Sequence, residues 1–339
     1  MLSDLNKLAK LVNRDQTLAS LVTHEIGGSV IYKNQDYPLH RFIIGSKTQT
    51  DRPTLFITGG VHGIERIGAQ LAWSLLKTTI DRLLWDDSLK SLFSKVNLVV
   101  MPLVNPVGYN HFMRSNGNGV DLMRNSPVHS LEEKIPLLSG HRLSPLLPWY
   151  QGAQEELEAE NKILLETFTK YAQNSPRVIA IDFHSGFGLR DRLWFPYSYT
   201  SRPFENIAEM HSLYHLFEQT HPYHIYQFEP QSDGYLLNGD MWDHLYLEYQ
   251  KKNPEGVFIP LTLEMGSWNW VKKNPLQLFS KTGIFNPIKE HRLKRVYRRH
   301  HLLFDFMLRA LYSNQIWSEL DINFKKKHQD LGFKKWYSK

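Results

Sequence analysis

The chain has no cysteine among its 339 residues. Disulfides and thiolate metal sites are therefore excluded, and any bound transition metal has to be held by His, Asp or Glu. Long apolar runs are missing as well. No stretch approaches the ~18 apolar residues that a membrane-spanning helix needs. The N-terminus, MLSDLNKLAKLVNRDQTLASL, places Leu5, Leu8, Leu11 and Val12 at helical spacing but has no continuous apolar segment of the secretory type. A soluble cytoplasmic protein is the expectation, with no membrane partner. Internal repeats and low-complexity linkers are also absent, and nothing in the pattern sets an oligomeric state.

Apolar residues make up 42% of the chain, enough for a sizeable core, and the 9 Trp and 16 Tyr supply large rings for a core or a pocket wall. The net charge of +6 comes largely from HRLKRVYRRHH (291–301) and KKK (325–327). A basic run raises the question of nucleic acid. Leu293, Val296, Tyr297, Phe304, Met307 and Leu311 recur at helical spacing, however, which leaves most of the Arg and Lys on the outer face of a packed helix. A nucleic-acid partner is disfavoured on that pattern.

Short apolar runs alternate with helical patterns along the chain. SVIYK (29–33) and HRFIIG (40–45) read as a hairpin, and TLFITGG (54–60), NLVVMPLV (97–104), RVIAIDFH (177–184) and VFIPLTLEMG (257–266) as strands. The nearly continuous apolar character of these runs is that of strands buried on both faces. Helical periodicity marks 62–80, 154–174, 239–252 and 289–312, and 126–150 reads as a long loop. The expected fold is α/β, a single domain with a central mixed, largely parallel sheet flanked by helices. Its expected extent is 1–312, with 1–24 an N-terminal helical segment and 313–339 a polar tail.

Residues of catalytic type stand where the strands end. His62 and Glu65 follow TLFITGGV, His184 ends RVIAIDF and Glu264 interrupts VFIPLTL. In open α/β sheets ligands bind outside the carboxyl ends of the strands, so these positions can converge on one crevice. Two His and one Glu can hold zinc with a coordination position left open. Glycines surround each of them, in GGVHG, HSGFG and EMG, where the backbone can turn sharply or approach a ligand closely.

The stretches GGVHGIE (59–65), NPVGYNHFMRSNGNGVDLMRN (105–125), DFHSGFG (182–188) and TLEMG (262–266) resemble, in order and spacing, the motifs of the zinc carboxypeptidase family, which includes the aspartoacylase and succinylglutamate desuccinylase branch. The resemblance covers about residues 25 to 312. It implies one zinc ion held by His62, Glu65 and His184, with Asp121 orienting His62. It further implies that Arg114 polarises the scissile carbonyl, that Arg124 grips the substrate's free carboxylate, and that Glu264 is the general base and acid.

The resemblance implies cleavage of an amide bond beside a free carboxylate in a short peptide. An N-acyl-amino-acid amidohydrolase is the alternative, and a non-catalytic binding protein a third reading that the intact site residues oppose. One position departs from the family pattern: Met123 stands where an Asn usually precedes the carboxylate-binding arginine. A thioether cannot donate the amide's hydrogen bond. Tyr235, in SDGYLLNGD, is the candidate for the phenolic donor seen in the family.

Overall fold

A computed structural model describes residues 1–132, 134–153 and 156–338. Eight strands form one sheet: β1 (Val22–Tyr32), β2 (Gln35–Ile44), β3 (Thr54–Gly59), β4 (Asn97–Met101), β5 (Arg177–Ser185), β6 (Arg192–Phe195), β7 (Gln227–Pro230) and β8 (Val257–Met265). Their order is β1-β2-β4-β3-β5-β8-β6-β7. The centre, β4-β3-β5-β8, is parallel throughout. The β1–β2 hairpin joins antiparallel on one side and β6 on the other. β3, β4 and β5 are buried over nearly their whole length, as their unbroken apolar runs require. The expected mixed, largely parallel sheet is what the chain forms.

Helices cover both faces, and one of them positions the site. The helix Arg66–Leu83 starts directly beyond β3 and buries Ile67, Leu71, Leu75 and Leu76. Gly68 lets its first turn lie against β5, because a Cβ there would come 2.1 Å from the carbonyl oxygen of Phe183. The close contact sets the entry of this helix beside the end of β5, one residue from His184. The long helix expected from 154 begins at Ala159. Residues 154 and 155 lie outside the described residues.

Beyond Tyr312 the sequence reads as a polar tail, but the structure forms two further helices there, Gln315–Ser318 and Ile322–Trp336. The second packs against the helix Ile207–Thr220. A few large side chains do this work. Trp317 is fully buried, and Trp336 stacks edge-on to Phe195 at 4.8 Å and donates its indole N–H to the carbonyl of Phe228 at 2.8 Å. Trp336→Ala should therefore destabilise the fold by about 3–5 kcal/mol, the usual cost of emptying a buried Trp site. Urea unfolding of the two proteins measures it. A change below about 1 kcal/mol would mean that this helix is not part of the cooperative unit. Among the described residues, no helix is long and apolar enough to cross a membrane.

Candidate active site

His62 and Glu65 occupy the turn between β3 and the helix Arg66–Leu83, with Glu65 at the helix N-cap. His184 lies near the carboxyl end of β5, and Glu264 is its register partner on β8. Adjacent residues of a parallel pair point to the same face. Strand-end placement thus brings together four side chains from three separate parts of the sequence.

His62, Glu65 and His184 are all buried, and each offers a ligand atom within 4.8 Å of the others. His62 Nδ1 lies 2.8 Å from Glu65 Oε1 and 3.2 Å from His184 Nδ1, which is itself 3.2 Å from Glu65 Oε2. The far nitrogens are taken: His62 Nε2 is 2.9 Å from Asp121 Oδ1, and His184 Nε2 is 2.7 Å from Asp182 Oδ2. A carboxylate accepts only from an N–H, so each ring is protonated at Nε2 and turns its Nδ1 toward the shared centre. Two imidazole nitrogens and one carboxylate, oriented in this way, fit a zinc ion.

The supporting carboxylates are themselves held. Asp182 accepts from Thr58 Oγ1 at 2.7 Å and from Trp242 Nε1 at 3.0 Å. Asp121 accepts from Arg114 Nε at 3.1 Å, Arg124 Nη1 at 2.9 Å and the Met123 amide at 3.1 Å. Burial alone would raise the pKa of Asp121, but Arg124, His62 and Arg114 outweigh it and hold the group well below the usual carboxylate range. Burial likewise opposes charge on His184, yet Asp182 and Glu65 lift its pKa well above the ordinary value. The centre is thus an environment that favours a cation.

Glu264 titrates the other way. Burial first, and then the charge of Glu65, push its pKa up to about 8. One carboxylate oxygen accepts the Phe187 amide at 2.9 Å, and the other makes no hydrogen bond among the described residues. Arg114 is partly exposed and donates Nη1 to Glu65 at 2.9 Å. Arg124 is buried, with Nη1 on Asp121 and Nε on the carbonyl of Leu138 at 3.0 Å. Its Nη2 has no hydrogen bond among the described residues.

A cavity of about 470 Å³ opens in front of these groups. Met123, Trp149, Phe187, Trp194 and Tyr235 wall it, and Arg114, Arg124 and Glu264 face it. Tyr235 stands 6.3 Å from Phe187 and 6.4 Å from Trp194 between ring centres. Burial raises the pKa of its phenol, so it stays protonated at neutral pH. All nine residues singled out in the sequence are thus gathered at one place.

Two residues at this place were missed. Asp182 precedes His184 by two positions, and alternate residues of a strand share a face, so Asp-x-His at a strand end was a readable signal. Asp240 lines the same cavity and caps the helix Met241–Lys252 by accepting the Asp243 amide at 2.9 Å. Burial raises its pKa to about 6. An Asp directly before a helical run is a common N-cap, so its residue type gives no sign of a cavity residue.

Residues 6–276 match the family model described as zinc carboxypeptidase. Metallocarboxypeptidase A of Trichophyton rubrum is 26% identical over 179 residues, which is 48% of this chain and 40% of that protein. Carboxypeptidase B of Astacus astacus is 27% identical over 172 residues, 46% of this chain and 52% of that one. The chain thus spans about half or less of the length of these curated relatives. Among solved structures, thrombin-activatable fibrinolysis inhibitor superposes with a TM-score of 0.67 at 19% identity, over 91% of this chain and 74% of that one. Carboxypeptidase A of Helicoverpa armigera gives 0.56 at 18% identity, over 77% and 62%. These structural likenesses concern the fold.

Proposed function

The chain belongs to the zinc carboxypeptidase family, and from that premise we propose that it is a zinc-dependent hydrolase that cleaves an amide bond beside a free carboxylate in short peptides. The convergence of His62, Glu65 and His184 within 4.8 Å, with Glu264 in register beside His184, carries the proposal. His62, Glu65 and His184 would hold the metal. When bound, zinc lowers the pKa of water and polarises a carbonyl.

The rest is the work of the chain's own groups. Arg124, fixed by Asp121 and the Leu138 carbonyl, offers its remaining N–H groups to the substrate carboxylate, where a charge-assisted pair is strong and directional. Arg114 donates to the carbonyl oxygen as negative charge develops on it. Glu264 takes a proton from the attacking water on its free oxygen and passes it to the leaving nitrogen. With Glu65 engaged in binding a cation, its repulsion of Glu264 is relieved, and Glu264 ionises at a lower pH than about 8. Tyr235 supplies a neutral O–H donor in the cavity wall. The test is hydrolysis of short peptides with a free C-terminus against the same peptides with a C-terminal amide. Cleavage of the first alone is expected, and equal cleavage of both would defeat the carboxylate-recognition part of the proposal.

Met123 sets a further expectation. Its side chain lines the cavity next to Arg124 and donates no hydrogen bond. Met123→Asn should raise kcat/KM on simple C-terminal peptides by about tenfold or more, since a hydrogen bond to a charged group contributes about 1.5–3 kcal/mol. Wild type should favour leaving residues that offer apolar or aromatic surface to the thioether. Efficient wild-type cleavage of simple peptides, with no gain in Met123→Asn, would show the departure to be neutral.

A further inference from the structure

The basic run of the last long helix does more than face solvent. His291, Arg292, Arg295 and Arg299 of the helix Glu290–Tyr312 line a second cavity, of about 250 Å³, together with Lys273 and Asp191. Arg292, Arg295 and Arg299 follow at i, i+3 and i+7, so they fall on one face of this helix. Lys273 reaches the same space from the end of the helix Trp268–Lys273. Four permanent cations therefore share this cavity with one carboxylate.

Some of the cations are committed and some are not. Arg292 donates to the carbonyls of Trp270 at 3.0 Å and Lys273 at 3.3 Å, and so joins the two helices. Arg299 donates to Asp191 Oδ2 at 3.1 Å. Asp191 is buried, and its other oxygen accepts the amide of Gly266 at 2.9 Å. Arg295 and Lys273 make no hydrogen bond or ion pair among the described residues. Four cations facing a single carboxylate in a concave site leave an excess of positive charge that repels itself, and an anion seated among them relieves that repulsion.

We propose that this cavity is a binding site for a small phosphate-bearing anion. The volume suits a phosphate group with a small organic body. Guanidinium forks and an ammonium, presented from two separate helices, match the several acceptor oxygens of a tetrahedral dianion. Its wall includes Gly266, two residues past Glu264, so the occupied site would adjoin the backbone that carries the proposed base. The proposal is independent of the hydrolase reading.

The test is calorimetric titration of the zinc-loaded full chain with inorganic phosphate, at an ionic strength held constant with chloride. Lys273→Ala/Arg295→Ala is the comparison, because both side chains are exposed and without a partner among the described residues, and their removal leaves the fold intact. Saturable binding to wild type is expected, with the apparent Kd at least about tenfold weaker in the double variant, the loss of two charge-assisted contacts. Three results would overturn the proposal. They are no saturable phosphate binding, equal affinity in both proteins (which puts the anion at the proposed active site), or binding to an oligonucleotide but not to phosphate.

Discussion

Glu264→Gln should lower kcat by about 10²-fold or more while the metal content stays that of wild type. Gln keeps the shape and can still accept the Phe187 amide, but it cannot take a proton, and general-base assistance is worth roughly 10²–10⁴ in rate. Substrate affinity should change little, because Arg124 and the cavity wall are untouched. Steady-state kinetics on one peptide, with zinc assayed on the same preparations, gives the answer. Near-normal turnover would place the base elsewhere. The same substitution has a second readout in metal-free protein. Folding raises the pKa of Glu264 from its ordinary 4.5 to about 8. The stabilisation that this group contributes is complete below the lower value and is lost as pH rises through the upper one. Metal-free Glu264→Gln should accordingly lose less melting temperature than metal-free wild type between about pH 6 and about pH 9. Asp243, also raised to about 8, titrates in both proteins and cancels in the comparison.

The parts of the fold and site that could be read in advance are those governed by local pattern. β3, β4, β5 and β8 announce themselves as β-branched, unbroken apolar runs because both of their faces are covered. His62, Glu65, His184 and Glu264 were legible because they interrupt, end or closely follow those runs. β6 and β7 have four residues each, and β7, QFEP, carries a charge and a proline. Four residues are too few to establish a period, and it is the neighbouring strand that makes them strands. The helix Ile322–Trp336 buries only His328, Gly332 and Trp336, so its polar majority hid a docked element. The cavity under Arg292, Arg295 and Arg299 was hidden for a related reason. Helical spacing shows that the three share a face, but only the packing of the helix Trp268–Lys273 against that face turns it into a pocket.

Zinc stoichiometry in wild type and His184→Ala is the most direct measurement. In wild type, the Nδ1 atoms of His62 and His184 and the carboxylate of Glu65 converge, with Asp121 and Asp182 fixing the two rings. Removing His184 deletes one of three donors, and even the loss of a supporting hydrogen bond typically weakens metal binding by 10–100-fold, so a direct ligand should cost about 100-fold or more. Atomic absorption after equilibrium dialysis against buffered zinc should find one zinc per wild-type chain. The His184→Ala chain should hold none under the same conditions, with its circular dichroism still that of a folded α/β protein. Equimolar, tightly held zinc in folded His184→Ala, or none in wild type, would contradict a zinc centre built from His62, Glu65 and His184.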